Sequence, residues 1–371
     1  MKYYIIAGEA SGDVHAANLI RSIKEKDTQA VFRAWGGDRM ETQGAEIVRH
    51  YRDLAFMGFV EVLLNIRTIA KNISYCKNDI LSLKPDVLIL VDYPGFNLRI
   101  AEFAHKQGIK VVYYISPQVW AWKKSRVYKI NKVVDKMLVI LPFEEEFYAK
   151  YDVQVEFVGH PLLDEIKNQK KVSRKDFLDK NGLKDQPIIA LLPGSRKQEI
   201  GKMLNIMLNV TSDYPNYQFI IGGLPSIRPD YYHKIIHDSN AKVIYDQTSS
   251  LLEHAEAALV TSGTATLETA LMDVPEVVCY KANPISVAIA KRIIDVKFIS
   301  LVNLIMDREI VKELIQDELN QKNLSFELGL LLNDKEKIRL LKEDYKQLTE
   351  KLGKEGASDR AADIILDILK E

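Results

Sequence analysis

Twice in this chain an apolar run of strand length is followed at once by a glycine turn and then by helical spacing, and that order restricts the fold class more than any other feature. Residues 2–7 (KYYIIA) lead into GEASGD at 8–13 and the amphipathic run 14–24; residues 188–192 (IIALL) lead into PGSR at 193–196. Other strand and helix signals alternate between them: strands near 31–35, 86–91, 110–115, 136–140 and 155–158, with helices near 62–83 and 98–106. After 192 the series continues with strands at 217–221, 242–245, 257–260 and 277–280. Alternation of this kind predicts mainly parallel sheets covered by helices on both faces. The restart at 188 predicts two doubly wound α/β domains with a ligand cleft between them. From residue 307 onward the spacing reads as helical, through ELIQDEL and three later segments, the last at 357–369.

A third strand–turn–helix unit, AALVTSGTATLETALMDVP at 257–275, carries the clearest anion-binding signal. Thr261, Ser262, Gly263 and Thr264 form a small turn with no bulky guard, after which Ala265, Leu267, Ala270 and Leu271 follow helical spacing. A helix starting there leaves its first N–H groups unpaired and carries roughly half a positive charge, which suits phosphate oxygens. Glu268 lies about one turn in, within reach of ribose hydroxyls; the alternative is a capped helix with a solvated glutamate. Arg196, in the PGSR turn with Gly194 and Ser195, is the first cation available to a diphosphate on that side.

The first turn is not a dinucleotide fingerprint. It has only Gly8 and Gly12, and Glu9 and Asp13 would repel a pyrophosphate, so with Ser11 it reads as the lining of a sugar site or as a tight turn with an acidic cap. Asp92 ends an apolar strand and precedes YPGFN. A carboxylate there stands where an α/β domain does chemistry and is a candidate general base; a helix N-cap is the structural alternative. His160, between glycine and proline, falls in a loop, either structural or in contact with phosphate or sugar. Trp120, in SPQVWAW, precedes a basic run and reads either as core or as part of a headgroup platform. Residues 54–66 (LAFMGFVEVLLNI) are apolar at ten of thirteen positions without keeping to one helical face, so Met57, Phe59, Val60, Val62 and Leu63 are either buried or in touch with lipid.

Composition removes several classes. Lys+Arg and Asp+Glu both total 51, which gives no electrostatic case for a nucleic-acid partner. Cys76 and Cys279 stand alone without metal-ligand spacing, consistent with a reducing compartment and no metal. The opening residues lack the basic start and long apolar core of a signal peptide, and no stretch of ~18 apolar residues offers a membrane span, so a cytoplasmic protein is expected.

Taken together, GEASGD at Gly8, MGFVEVL at Met57, Asp92 with FNLR, SPQVWAWKKSRVYKI at Ser116, LPFEEEFY at Leu141, FVGHPL at Phe157, LLPGSR at Leu191 and SGTATLE at Ser262 resemble the lipid A disaccharide synthase family. The matches run from the first strand to about Glu318. The resemblance implies an inverting glycosyltransferase of the GT-B type, with two Rossmann-like domains and no cofactor. Its substrates would be UDP-2,3-diacylglucosamine and 2,3-diacylglucosamine 1-phosphate, its product β-1,6-linked.

It further implies Asp92 as the base, and Arg196 with the Ser262–Thr264 turn as stabilisers of departing UDP without need of a metal. Asn303 and Gln316 would lie near uridine or sugar, and residues 54–66 would meet acyl chains or the cytoplasmic face of the inner membrane, where the protein would associate peripherally. The expected division is 1–165 (acceptor and membrane side), a linker at 166–186, 187–345 (donor side) and helices at 346–371 crossing between domains or subunits, which makes a homodimer plausible. Where the family often has an acidic residue this chain has Gly95, leaving Asp92 as the only carboxylate of its turn. Another UDP-sugar enzyme on the same scaffold, such as a 2-epimerase, and an exported two-lobed binding protein are the alternatives.

Overall fold

In the computed structural model, which describes residues 1–53, 66–237, 239–283 and 296–370, the apolar runs become strands buried on both faces. The chain divides into two units: Met1–Asp164 with Leu352–Glu371, and Glu165–Lys351.

The first unit holds seven strands: β1 (Lys2–Ala7), β2 (Val31–Gly36), β3 (Glu46–His50), β4 (Val87–Val91), β5 (Lys110–Tyr114), β6 (Lys136–Val139) and β7 (Glu156–Phe157). They lie in the order β3-β2-β1-β4-β5-β6-β7, and every pairing is parallel. All five residues of β4 (VLILV) are buried, as a strand flanked by helices on both sides requires. The neighbour relation that matters for chemistry is β1 beside β4, with Ala7 opposite Val91. The turns leaving these two strands therefore emerge side by side at the carboxyl edge.

The second unit holds β8 (Ile188–Leu192), β9 (Gln218–Gly223), β10 (Lys242–Tyr245), β11 (Ala255–Thr261), β12 (Glu276–Tyr280) and β13 (Lys312–Ile315), in the order β10-β9-β8-β11-β12-β13, again all parallel. In both sheets the order reverses after the first strand of the unit, which defines the switch point of a doubly wound fold.

Three details depart from the sequence-based expectation. ELIQDEL is not helical: Lys312–Ile315 is an edge strand followed by a 3-10 turn at Gln316–Glu318. Glu313 is carried in that strand because its carboxylate accepts from the N–H groups of Ile299 and Ser300, the Ser300 hydroxyl and the Asn303 amide. Edge strand β3 (EIVRH) was also hidden by its polar residues. The segment expected as a linker contains helix Arg174–Asn181, which buries Phe177 and Leu178 in the second core.

The C-terminal part returns to the first unit. Helix Ala357–Ile368 packs along helix Ala10–Lys26, burying Ala361, Ala362 and Ile365. Asp164 receives the N–H groups of Gly356 and Ser358 at 2.5 and 3.2 Å, and Arg360 Nε donates to the Val158 carbonyl at 2.9 Å. Among the described residues no helix is long and apolar enough to cross a membrane.

Candidate active site

At the carboxyl edge of the first sheet, Asp92 and Tyr93 both adopt left-handed backbone, with φ of 42° and 50°. Each such non-glycine residue costs on the order of 1–3 kcal/mol and persists only where its surroundings impose it. The Tyr93 ring lies against the first turn: a Cβ at Gly8 would come within 2.3 Å of it, so only glycine fits there. Tyr93 stacks on Phe96, whose ring packs at a tilt against Trp35.

Asp92 is partly buried. Burial, reinforced by the negative charge of Glu9, pushes its carboxyl up to about 7, while the Tyr93 N–H and His15 pull the other way. A carboxylate tuned near neutrality is suited to general-base work, since it is half ionised and still basic enough to accept a proton. The influence of Glu9 and His15 on this group was missed in the sequence; the only signal was that the first turn and the Asp92 turn follow strands that the fold pairs.

Other first-unit candidates fall differently. Gly12 is buried against Ala7, and Ser11 is exposed at the start of helix Ala10–Lys26. Asp13 is buried and accepts the N–H groups of Gly37, Arg39 and Met40 at 2.7, 3.1 and 3.2 Å, so it caps the next turn. His160 and Trp120 are both buried. His160 is only 2% exposed, accepts the Leu162 N–H at Nδ1, and is driven down to about 3 by burial and by His15, so it offers no cation at neutral pH. Trp120 is buried edge-on against Phe143, and Trp122 takes the surface position under Lys123 and Arg126. Met57, Phe59, Val60, Val62 and Leu63 lie outside the described residues.

In the second unit the turns after β8 and β11 lie together, since those strands pair and a Cβ on Gly194 would come 3.4 Å from the Thr261 methyl. Gly194 has φ of 108°, a conformation that favours glycine. Ser195 and Arg196 are exposed, and Arg196 begins helix Lys197–Leu208 with a loose 3.4 Å pairing to Glu199. Gly263 and Thr264 are exposed at the start of helix Thr264–Leu271, while the Ser262 hydroxyl donates to the Ile299 carbonyl at 2.7 Å. Two helix N-termini thus open beside each other at one sheet edge, a setting for phosphate oxygens.

Glu268 accepts the Ser249 hydroxyl at 2.9 Å, and burial raises its carboxyl. Gln316, just past β13 with φ of 56°, has a buried Nε2 without a partner. Asn303 is buried within the fold. Its Nδ2 donates to the Val311 carbonyl and to Glu313, and its Oδ1 accepts the N–H groups of Ile310 and Val311. All four hydrogen-bonding positions of the buried amide are used within the fold. A groove of about 850 Å³ on this unit, lined by Tyr214, Asn320, Lys322 and Phe326, includes none of the expected site residues.

Two parallel sheets of this order, each ending in strand–turn–helix edges, define a protein of the GT-B class, the architecture shared by nucleotide-sugar transferases and epimerases. The chain matches a Staphylococcus aureus MnaA–UDP structure with a TM-score of 0.70 at 15% identity, covering 100% of this chain and 97% of that one. It matches a calicheamicin glycosyltransferase with a TM-score of 0.62 at 16% identity, covering 99% and 98%. Sequence identities that low establish the fold alone.

Family membership comes from sequence. A family model described as lipid-A-disaccharide synthetase matches residues 3–368. Lipid-A-disaccharide synthases of Geobacter sulfurreducens and Syntrophus aciditrophicus are 38% and 39% identical, over 98% and 99% of this chain and 96% and 97% of theirs. The chain belongs to the lipid-A-disaccharide synthetase family.

Proposed function

We propose that this protein joins UDP-2,3-diacylglucosamine to 2,3-diacylglucosamine 1-phosphate, releasing UDP and forming a β-1,6 linkage. The family match over residues 3–368 carries this reading, and the Asp92 carboxyl poised at about 7 supports it. Asp92 takes the proton of the acceptor 6-hydroxyl as that oxygen attacks the anomeric carbon. The bond from that carbon to the diphosphate oxygen breaks on the opposite face, inverting the centre. Negative charge gathers on the leaving UDP, where Arg196 and the helix N-termini at Lys197 and Thr264 stabilise it. Gln316, with its open amide donor, meets a carbonyl of the uracil or a sugar oxygen.

Both substrates carry acyl chains, so the enzyme works at a membrane surface as a peripheral protein on the cytoplasmic face. The exposed Trp122 flanked by Lys123 and Arg126, and the exposed Tyr128, support contact with anionic headgroups. A homodimer through the C-terminal helices is a further element of this reading, tested by sedimentation.

The deciding experiment incubates the protein with both diacyl substrates and separates products. UDP and disaccharide phosphate in equal amounts establish the transfer. Epimerised UDP-sugar, or bound substrate with no product, overturns it.

A further inference from the structure

Two successive left-handed residues do not hold themselves, and what holds Asp92 and Tyr93 is a convergence on one carbonyl oxygen. The Asp92 carbonyl accepts Asn97 Nδ2 at 2.7 Å and the Tyr113 hydroxyl at 2.5 Å, which fills both of its lone pairs. Asn97 comes from helix Pro94–Lys106 and Tyr113 from β5, where it lies opposite Leu90 of β4. Both side chains are 0% exposed. The same Asn97 amide donates to the Val91 carbonyl at 3.2 Å, so it spans the end of β4 and the turn.

Asn97 also leaves its own Oδ1 buried without a hydrogen-bond partner. A buried unpaired acceptor is costly, and an apolar side chain of similar size would avoid the cost if packing were the sole requirement. What Asn97 supplies is its donor, whose shortest bond goes to the Asp92 carbonyl, with longer ones to the carbonyls of Val91 at 3.2 Å and Ile6 at 3.5 Å.

We propose that Asn97 and Tyr113 are positioning residues for the transfer reaction, holding the Asp92 backbone so that its carboxylate meets the acceptor hydroxyl in a single geometry. The inference rests on Asp92 being the base. Loss of either donor lets the turn relax toward ordinary backbone and lets the carboxyl reach water. The charged and titratable groups that face it are Glu9 from the first turn, His15 from helix Ala10–Lys26, Tyr93 beside it and Tyr113 from β5, which burial keeps neutral. Neither Tyr113→Phe nor Asn97→Ser alters the charge of any of them. A change in the acid limb of activity therefore reports where the carboxyl sits.

The test compares wild type, Tyr113→Phe, Asn97→Ser and Asp92→Asn by steady-state kinetics across pH, with UDP affinity and melting temperature recorded alongside. Tyr113→Phe and Asn97→Ser are expected to lower kcat about 10- to 100-fold, the cost of a misplaced catalytic group, with KM within about twofold. The acid limb of kcat/KM should move down from near 7 by about one pH unit or more as the burial that raises it is lost. Unchanged kcat and limb overturn the inference. A fall in kcat that only tracks the folded fraction, with the limb unmoved, overturns it too. Tyr113→Phe keeps the ring and carries the test if Asn97→Ser fails to fold. Should Asp92→Asn keep near-normal turnover, the base assignment itself fails, an outcome separate from an inactive Asp92→Asn beside a normal Tyr113→Phe.

Discussion

The carboxyl edges of the two sheets present opposite chemistry, although each strand order reverses at the same point. The first ends in a partly buried acid, Asp92, under the influence of Glu9 and His15. The second ends in small, exposed turns, Gly194–Ser195 and Gly263–Thr264, with an arginine and two helix starts. In the proposed reaction the first edge removes a proton and the second receives an anion. The backbone framework is common to both; what differs is which side chains follow the strands and how far water reaches them.

The sharpest way to break that contrast is Asp92→Asn. It should lower turnover by about 10²- to 10⁴-fold, the scale of a lost general base, while titration calorimetry finds UDP affinity unchanged. A parallel loss of UDP affinity would mean that the two edges are not separate in function. The converse variant, Arg196→Ala, should weaken UDP binding or turnover about 10- to 150-fold, as a lost charge-assisted contact does. If binding of UDP survives intact, the second edge holds its anion by backbone alone.

Next in size is the pH profile. Asp92 must be ionised to act, so kcat/KM should fall about tenfold per pH unit below about 7 and level off above it. A limb near 4 would show that the first edge is wetter than its burial implies.

The smallest effect concerns stability of the second sheet. Glu276, the first residue of β12, is 1% exposed, neither carboxylate oxygen has a hydrogen-bond partner, and burial with nearby Glu313 holds the carboxyl well above its usual range. A folded-state acid with a raised pKa contributes most below the unfolded value, about 4.3, and its contribution is lost as pH rises beyond it. Glu276→Met should therefore raise the melting temperature by a few degrees at pH 8, the scale of removing an unpaired buried group of about 1–3 kcal/mol, and by less at pH 5. An equal gain at both pH values would show that packing, not charge, is the cause.

Much of this was legible in the chain. Strands such as VLILV and IIALL are apolar throughout, as central strands covered by helices on both faces are. Asp92, Arg196 and the glycine turns announced themselves because they follow those runs directly. Strand β13 did not, because Lys312 and Glu313 make it read as an amphipathic helix until Ser300 and Asn303 are seen to satisfy Glu313. Asn303 illustrates the same limit: a polar residue near a ligand edge and a polar residue completing a buried network look alike in one dimension. Asn97 and Tyr113 were silent because their target is a main-chain oxygen, which sequence does not display.

The return of Leu352–Glu371 to the first unit has a consequence for synthesis. A ribosome finishes the inner segment, Glu165–Lys351, before it makes the helix that covers Ala10–Lys26. The nascent outer unit must therefore wait with an apolar flank open while its neighbour is already complete, and a stall after Lys351 would leave the half that carries Asp92, not the half that carries Arg196, exposed to chaperones and proteases.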